Sequence, residues 1–511
     1  HKTLNVGRVQ TPTIDMIVKR DYAIEHFQKE KYYILRLNAG GVAALSEKLP
    51  TEAEAQKMKA ACEKSQAACV SLKKEKKAIA PPKLFDLTAL QREANRLFGF
   101  TAKQTLDYAQ TLYEKRLLTY PRTDSKYITS DMQAHTADLI KGLFGILPFT
   151  RGMEFAPQLT RICDNAKITD HHALLPTAEF VKNGFAELAD SEKKLMTLAC
   201  VKLLCAAAPP HEYEAVTAVL ECGGYSFTAK GRTTLCEGWR GLERAYRLAL
   251  NGKPDEDEAE PETALPELSE GQAFEDAQAK ITECYTKPPL AFTEDTLLSA
   301  MENAGREDTP DDAERKGLGT TATRAGMIEK LIQAGFIVRN GKKLNATRDG
   351  LTLTTVLPEA LTSPQLTAEW ETRLTEIAKG REDPAAFVRG IEEMAAGLVK
   401  NYSGISEDNA KLFAPQREAI GVCPRCGESV YEGKKNYYCG NRAFSFVMWK
   451  NDKFFEQRKK AFTKTIAAAL LKDGKAKIKG MHSTKTGGTF DGVVLLADTG
   501  GKYVNYRVEQ K

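Results

Sequence analysis

The stretch Leu117-Leu118-Thr119-Tyr120-Pro121-Arg122-Thr123-Asp124-Ser125 decides how the rest of the chain is read. Thr101 and Gln104 have capping-box spacing, and apolar residues follow at Leu106, Ala109, Leu112, Tyr113 and Leu117. Together they predict a helix running into the stretch. Pro121 disfavours helical dihedrals at the residue before it, so Tyr120 is expected where that helix gives out. The turn then carries a phenol with a guanidinium two positions on, a pair suited to attack on a phosphodiester. A phenol with a pKa near ~10 is rarely ionised at neutral pH without a positive neighbour. An arginine can also bind two phosphate oxygens while charge gathers on them. Tyr-Pro-Arg alone fits an ordinary surface turn better than a site, so the surrounding strings decide.

Three of those strings lie to either side. Gly7-Arg8-Val9-Gln10-Thr11-Pro12 precedes an amphipathic run to His26. Pro12 suits the first turn of a helix with Thr11 as N-cap, which leaves Arg8 and Gln10 ahead of it, free to reach a phosphate. A capped helix with a solvated arginine explains the same residues. Downstream, Asp170-His171-His172-Ala173-Leu174-Leu175-Pro176-Thr177 carries adjacent histidines. These cannot share one face of a regular element, and they lack the spacing of a zinc pair on a helix. One exposed and one packed histidine is the plain reading. A histidine that hydrogen-bonds a phosphate, with a charge tunable near neutral pH, is the functional one. The third string, Lys316-Gly317-Leu318-Gly319-Thr320-Thr321-Ala322-Thr323-Arg324, leads a helix through Ile328, Leu331 and Ile332. Asn340-Gly341 between two short apolar-and-basic runs then signals a hairpin. A helix followed by a basic hairpin is the outline of a winged helix, and glycines beside Thr320 and Arg324 would let a phosphate approach the amides at the helix start.

Residues 118–125 resemble the active-site motif of type IA DNA topoisomerases, in the topoisomerase III branch. The other strings resemble that family's motifs in the expected order. The resemblance implies Tyr120 as the nucleophile that joins the 5′ phosphate of a cut DNA strand, with Arg122 positioning the scissile phosphate. It points to His171 on that phosphate and leaves His172 open. It implies that Arg8, Gln10, Lys316, Thr320 and Arg324 hold single-stranded DNA, although Thr321 stands where proline is usual. The implied fold is a multidomain α+β toroid, with winged-helix-like helical domains and a β arch. Its expected parts are a first piece of the DNA groove (1–27), an arch in two pieces (28–82 and 213–290), a tyrosine domain (83–212) and a winged-helix-like domain (291–413). A degenerate zinc ribbon (414–455) and a basic β appendage (456–511) are expected to follow.

The family also carries an N-terminal nucleotidyl-transfer domain whose acidic residues bind magnesium, and this sequence shows no counterpart. Mg2+ and the acid for the leaving 3′ oxygen are therefore expected from a domain outside this chain or on a separate polypeptide. His1 in place of Met suggests a fragment. The implied partners are single-stranded and negatively supercoiled DNA, with no ATP required. A strand-holding remnant without chemistry is the alternative. A tyrosine recombinase fits less well, because such sites need several arginines and a lysine around the tyrosine.

Composition agrees with these classes. Hydrophobic content of 42% and charged content of 28% over 511 residues describe a globular protein of several domains. No stretch approaches the roughly 18 apolar residues that span a bilayer, and no signal peptide is evident, so a cytoplasmic protein without membrane partners is expected. The eleven cysteines then read as reduced thiols. The net charge of +5 is mild but unevenly placed. Residues 71–126 hold 12 Lys/Arg against 6 Asp/Glu, and residues 450–511 hold 14 against 6. Such patches suit a phosphate backbone. The acidic run 255–260 includes an Asp-x-Asp, but no hydrophobic strand places it, so it reads as a solvated loop.

In the tail, Cys423-Pro424-Arg425-Cys426-Gly427 is a ribbon knuckle and Cys439-Gly440 its second half. A structural zinc needs four ligands, and Phe444 stands where the fourth cysteine belongs. The incomplete set Cys423, Cys426 and Cys439 leads to the expectation that zinc is absent, with Phe444, Phe446 and Trp449 holding the ribbon by packing.

Overall fold

The computed structural model describes residues 6–168, 170–252, 264–305, 317–401, 418–441, 446–483, 487–501 and 504–509. The chain divides into two compact units, 1–404 and 405–511. The acidic run, Lys316 and Phe444 lie outside the described residues. Among the described residues no helix is long and apolar enough to cross a membrane.

Unit one is built around a seven-stranded antiparallel sheet. Its strands are β1 (Lys31–Ala39), β2 (Val42–Leu45), β3 (Ala67–Ile79), β4 (His211–Cys222), β5 (Tyr225–Cys236), β6 (Ala273–Phe274) and β7 (Gln278–Tyr285). The spatial order is β6-β3-β4-β5-β2-β1-β7. Burial alternates along β1, which places Tyr33, Leu35 and Leu37 in one core with Phe227. β1 and β2 form a hairpin, because Gly40 and Gly41 take positive φ and turn the chain. Helix α2 (Glu52–Cys62) covers this core, and Thr51 caps it through a box with Glu54. β3 runs out of the sheet and β4 returns beside it, from Ile79↔His211 to Ala67↔Cys222. Residues 80–210 therefore form an excursion from one point of the arch.

That excursion is the tyrosine domain. It contains α3 (Leu87–Phe98), α4 (Ala102–Glu114), α5 (Gln133–Ile146), α6 (Ala178–Asn183) and α7 (Asp190–Ala207), and α8 (Trp239–Asn251), between β5 and β6, packs on it. Asp86 caps α3, and Gly99 ends it in the left-handed conformation. The inner face of α7, including Leu195, Cys200, Leu203 and Leu204, is wholly buried and forms the domain's centre.

A third core joins α1 (Gln10–Glu25) to α9 (Glu294–Asn303), α10 (Thr321–Gln333), the hairpin β8 (Ile337–Asn340) and β9 (Lys343–Ala346), and α11 (Arg348–Val356). Ile14, Ile17, Leu298, Ile328, Leu331 and Phe336 fill it. The helix–hairpin outline expected from Asn340-Gly341 is present. α12 (Glu359–Thr362), α13 (Gln365–Ala378) and α14 (Pro384–Asn401) follow, and Trp370 packs edge-on against Phe387. The expected Thr11 cap does not form. α1 begins at Gln10, and the Thr11 hydroxyl accepts from Gly7 N at 3.1 Å.

Unit two holds β10 (Ala419–Val422), β11 (Ser429–Glu432), β12 (Asn436–Cys439) and β13 (Val447–Trp449) in one sheet. A second sheet contains β14 (Lys475–His482), β15 (Thr489–Leu496) and β16 (Tyr506–Val508). The helix Lys464–Asp473 had no counterpart in the expected all-β appendage. It lies between the sheets, and Val430, Phe446, Phe462, Leu470 and Val494 share one core. Phe446 is fully buried as expected, but Trp449 is not: it is 42% exposed on the edge strand.

Candidate active site

The helix leading to Tyr120 ends earlier than the sequence pattern suggests. α4 stops at Glu114, and Arg116 takes a φ of 61°, which turns the chain out of the helix. Leu117 and Leu118 are buried outside it, and Leu118 bridges Pro176. The tyrosine turn is therefore laid beside the histidine string as a strand-like pair, six residues past the helix end.

Two threonines fasten that pairing. Thr119 N donates to Leu175 O at 3.0 Å, and its hydroxyl accepts from Leu175 N at 2.9 Å. The Thr123 hydroxyl donates to His171 O and accepts from Ser125 N, both at 3.1 Å. Leu87 N donates to Thr123 O at 3.0 Å, so the start of α3 grips the same turn. Pro121, Thr123 and Ser125 are buried, whereas Arg122 and Asp124 between them face solvent. Alternate residues of the stretch thus serve anchoring and exposure in turn.

The Tyr120 ring is half-buried between two others. The His171 ring centroid lies 4.5 Å away, and Tyr113 meets it edge-on at 5.5 Å. The helical pattern put Tyr113 on the core face, but Tyr113 is 39% exposed and braces Tyr120. The two histidines are distinguished. His171 is exposed against the tyrosine, while His172 Nδ1 donates to Ala173 O at 2.7 Å and orients the strand instead. Arg122 forms no ion pair among the described residues. The arrangement offers a phenol against an imidazole, and two positions along the chain an exposed guanidinium without an ion pair among the described residues.

A basic group near this turn was not singled out from sequence. Lys83 and Lys167 lie 5.2 and 5.0 Å from the Tyr127 ring centroid. The hydrogen bond from Lys83 holds that phenol below its ordinary range. Tyr127 O accepts from Ala173 N at 2.8 Å, which ties the group to the histidine string. Three residues so far apart in sequence give no local signal.

The α10 start is constructed differently. A Cβ on Gly317 would lie 2.3 Å from Met301 O, so the loop docks on the end of α9 only as glycine, at a φ of 65°. Leu318 N donates to Met301 O at 2.8 Å. Thr320 caps α10, and its N–H donates to the Thr323 hydroxyl at 2.9 Å. Arg324, expected on a DNA groove, is 4% exposed. Its Nε donates to Leu318 O at 3.2 Å and its Nη1 to the Thr88 hydroxyl at 3.0 Å. The side chain lies inward because α3 packs over the helix start, and its guanidinium joins the loop to the tyrosine domain. Beside it, Lys126 Nζ pairs with Asp86 at 3.1 Å and Glu302 at 3.5 Å. Burial is the largest influence on Asp86 and holds its carboxyl above the usual range despite the lysine.

Arg8 is half committed. Its Nη1 lies 2.9 Å from Glu371, and its guanidinium sits 5.6 Å from the Trp370 ring. Gln10 opens α1 rather than preceding it. In unit two, the sulfurs of Cys423, Cys426 and Cys439 all lie within 4.8 Å of one another. Three thiols so gathered offer the soft ligand set of a zinc site, so the expectation that zinc is absent is not supported. A backbone hydrogen bond at Glu428 leads the influences that lower the Cys426 thiol pKa, while burial pushes Cys439 up to about 12.

Residues 1–389 match the sequence profile of a family described as DNA topoisomerase. DNA topoisomerase 3 of Bacillus licheniformis is 36% identical over 448 residues, covering 83% of this chain and 59% of that protein. DNA topoisomerase 3 of Bacillus subtilis gives 36% over 448 residues, 83% of this chain and 60% of that one. The full-length topoisomerase I structure from Thermotoga maritima superposes with a TM-score of 0.62 at 24% identity, over 88% of this chain and 71% of that one, which shows the shared fold. The chain belongs to the DNA topoisomerase family, and within it to the type IA class and the topoisomerase III branch. It spans about three-fifths of the length of the curated relatives it matches.

Proposed function

We propose that this chain is the strand-cutting and strand-holding part of a type IA topoisomerase that acts on single-stranded and negatively supercoiled DNA. The observation that carries the proposal is the Tyr120–His171 contact at 4.5 Å, with Arg122 exposed two positions along the chain. The Tyr120 phenol gives up its proton and its oxygen bonds phosphorus. The bond from phosphorus to the 3′ oxygen breaks, and that oxygen takes up a proton. One phosphodiester replaces another, so the bond energy is kept in the phosphotyrosine for religation. Arg122 offsets the charge on the phosphate oxygens, and His171 donates a hydrogen bond to them. Tyr113 and the two threonines fix the direction from which the phenol approaches.

Magnesium belongs to the chemistry of this enzyme class. Among the described residues, the one cluster of three or more candidate ligands is the thiol set, which suits zinc and not magnesium. The described residues therefore do not fit a magnesium centre. A separate domain or chain is the proposed source. One zinc per chain, lost in Cys426→Ser, is the expected metal content. A strand-holding protein without chemistry is the second reading, favoured by the absence of an oxygen-ligand cluster for magnesium among the described residues. Incubation with single-stranded DNA, with and without a supplied magnesium-bearing domain, separates the two. A covalent adduct missing in Tyr120→Phe supports the enzyme. Strand binding without adduct under both conditions supports the second reading.

A further inference from the structure

The core of the arch holds a pair of thiols that the strand chemistry does not use. Cys62 ends α2 and Cys222 ends β4, and both are buried. Each donates to the other's backbone. Cys62 Sγ lies 3.5 Å from Cys222 O, and Cys222 Sγ lies 3.6 Å from Cys62 O. This reciprocal pattern puts both sulfurs in the one gap between the helix end and the strand end. A disulfide needs such an approach, because its two β carbons stand only about 4 Å apart.

The backbone holds that gap narrow. Gly223, next to Cys222, has a φ of 60°, and a Cβ there would lie 2.6 Å from Ala61 C and 2.9 Å from Cys62 N. The turn between β4 and β5 therefore docks on the end of α2 only as glycine. Cys222 Sγ also lies 3.6 Å from Ser65 O, in the loop beyond the helix. The third thiol of this core, Cys69, is directed elsewhere, donating to Ser71 O at 3.7 Å. Burial raises both members of the pair, Cys62 to about 12, but the hydrogen bond from Cys62 works against that rise at Cys222. Cys222 is thus the better placed of the two to ionise.

We infer that Cys62 and Cys222 are a redox-modification site, forming a reversible disulfide with hydrogen peroxide that clasps α2 to the β4–β5 hairpin. Cys222 loses its proton, and its sulfur attacks one peroxide oxygen. The O–O bond breaks, the departing hydroxide takes up a proton as water, and Cys222 becomes a sulfenic acid. The Cys62 sulfur loses its proton and attacks the Cys222 sulfur. The S–O bond breaks, the S–S bond forms, and a second water leaves. Two thiols are thereby oxidised by two electrons, and one peroxide is reduced to two waters. An added thiol restores both cysteines by exchange. The linked residues lie 160 positions apart, and the tyrosine domain falls between them. The clasp therefore closes a large ring and restrains the unfolded chain.

The test uses the full chain, oxidised with hydrogen peroxide, alkylated, and digested without reductant. Mass mapping is expected to recover the Cys62 and Cys222 peptides joined, two hydrogens lighter than their sum, and dithiothreitol should separate them. Oxidation should raise the unfolding temperature by about 5 °C, a rise absent in Cys222→Ser. With the second thiol removed, Cys62→Ser should leave a Cys222 sulfenic acid that dimedone captures. Three results would overturn the inference: the two peptides unlinked while the exposed Cys236 is oxidised in the same sample, a link from either residue to Cys69, or a link that leaves the unfolding temperature unmoved.

Discussion

The tyrosine turn and the start of α10 both dock on α3, yet they deploy their arginines in opposite ways. At the turn, hydroxyls and amides do the anchoring, and Arg122 is left outside. At α10, the arginine itself is the anchor: Arg324 is buried and bonds both the loop and Thr88. An arginine whose donors are already satisfied within the protein stabilises an interface. One held in place by its neighbours, with its own donors unused, can meet a ligand. Type and spacing alone do not distinguish the two.

Substitutions can break or sharpen that contrast. Arg324→Ala should lower stability by about 3 kcal/mol, because it strands the buried Thr88 hydroxyl and the Leu318 carbonyl. Denaturant unfolding would show it, and an unchanged midpoint would remove the anchoring role. Arg122→Ala should leave that midpoint within about 0.5 kcal/mol while slowing adduct formation about a hundredfold. A third arginine, Arg425, extends the comparison to unit two, where it forks onto Asp498 with bonds of 2.7 and 2.6 Å. The hydrogen bond from Arg425 leads the influences that hold the Asp498 carboxyl below its usual range. Its contribution is therefore present above the unfolded carboxylate pKa of about 3.9 and is lost as pH falls through the lower folded value. Asp498→Asn should cost about 2 kcal/mol at neutral pH and flatten the acid side of the stability profile. The smallest effect belongs to Arg8. Glu371→Gln should release it and raise affinity for single-stranded DNA only a few-fold, since a half-exposed ion pair contributes under about 1 kcal/mol.

Much of this site was legible in the chain, and the reasons are local. The cap of α4 and the Asn-Gly hairpin depend on neighbours within four residues. The pairing of Tyr120 with His171 came from a resemblance between short strings, because no periodicity links residues 51 positions apart. What remained hidden was every non-local use of a side chain. A helix pattern placed Tyr113 in the core because aromatic residues there usually are, but α4 ends one position later and the ring turns to Tyr120. Arg324 looked like a phosphate ligand because its covering helix α3 begins over two hundred residues earlier. The three thiols were read as metal-free because a fourth ligand was sought along the chain, whereas the three sulfurs already converge in space.

The central claim is that Tyr120 exchanges a DNA phosphodiester for a phosphotyrosine using residues of this chain. It can be tested without the acid that normally serves the leaving group. In an oligonucleotide whose bridging 3′ oxygen is replaced by sulfur, the departing thiolate has a pKa near 8.5 and needs no proton donor. With that substrate the account predicts release of a 3′ thiol and a covalent adduct that peptide mapping places on Tyr120. Attachment at another residue, or no adduct from a chain that binds the oligonucleotide, would contradict it.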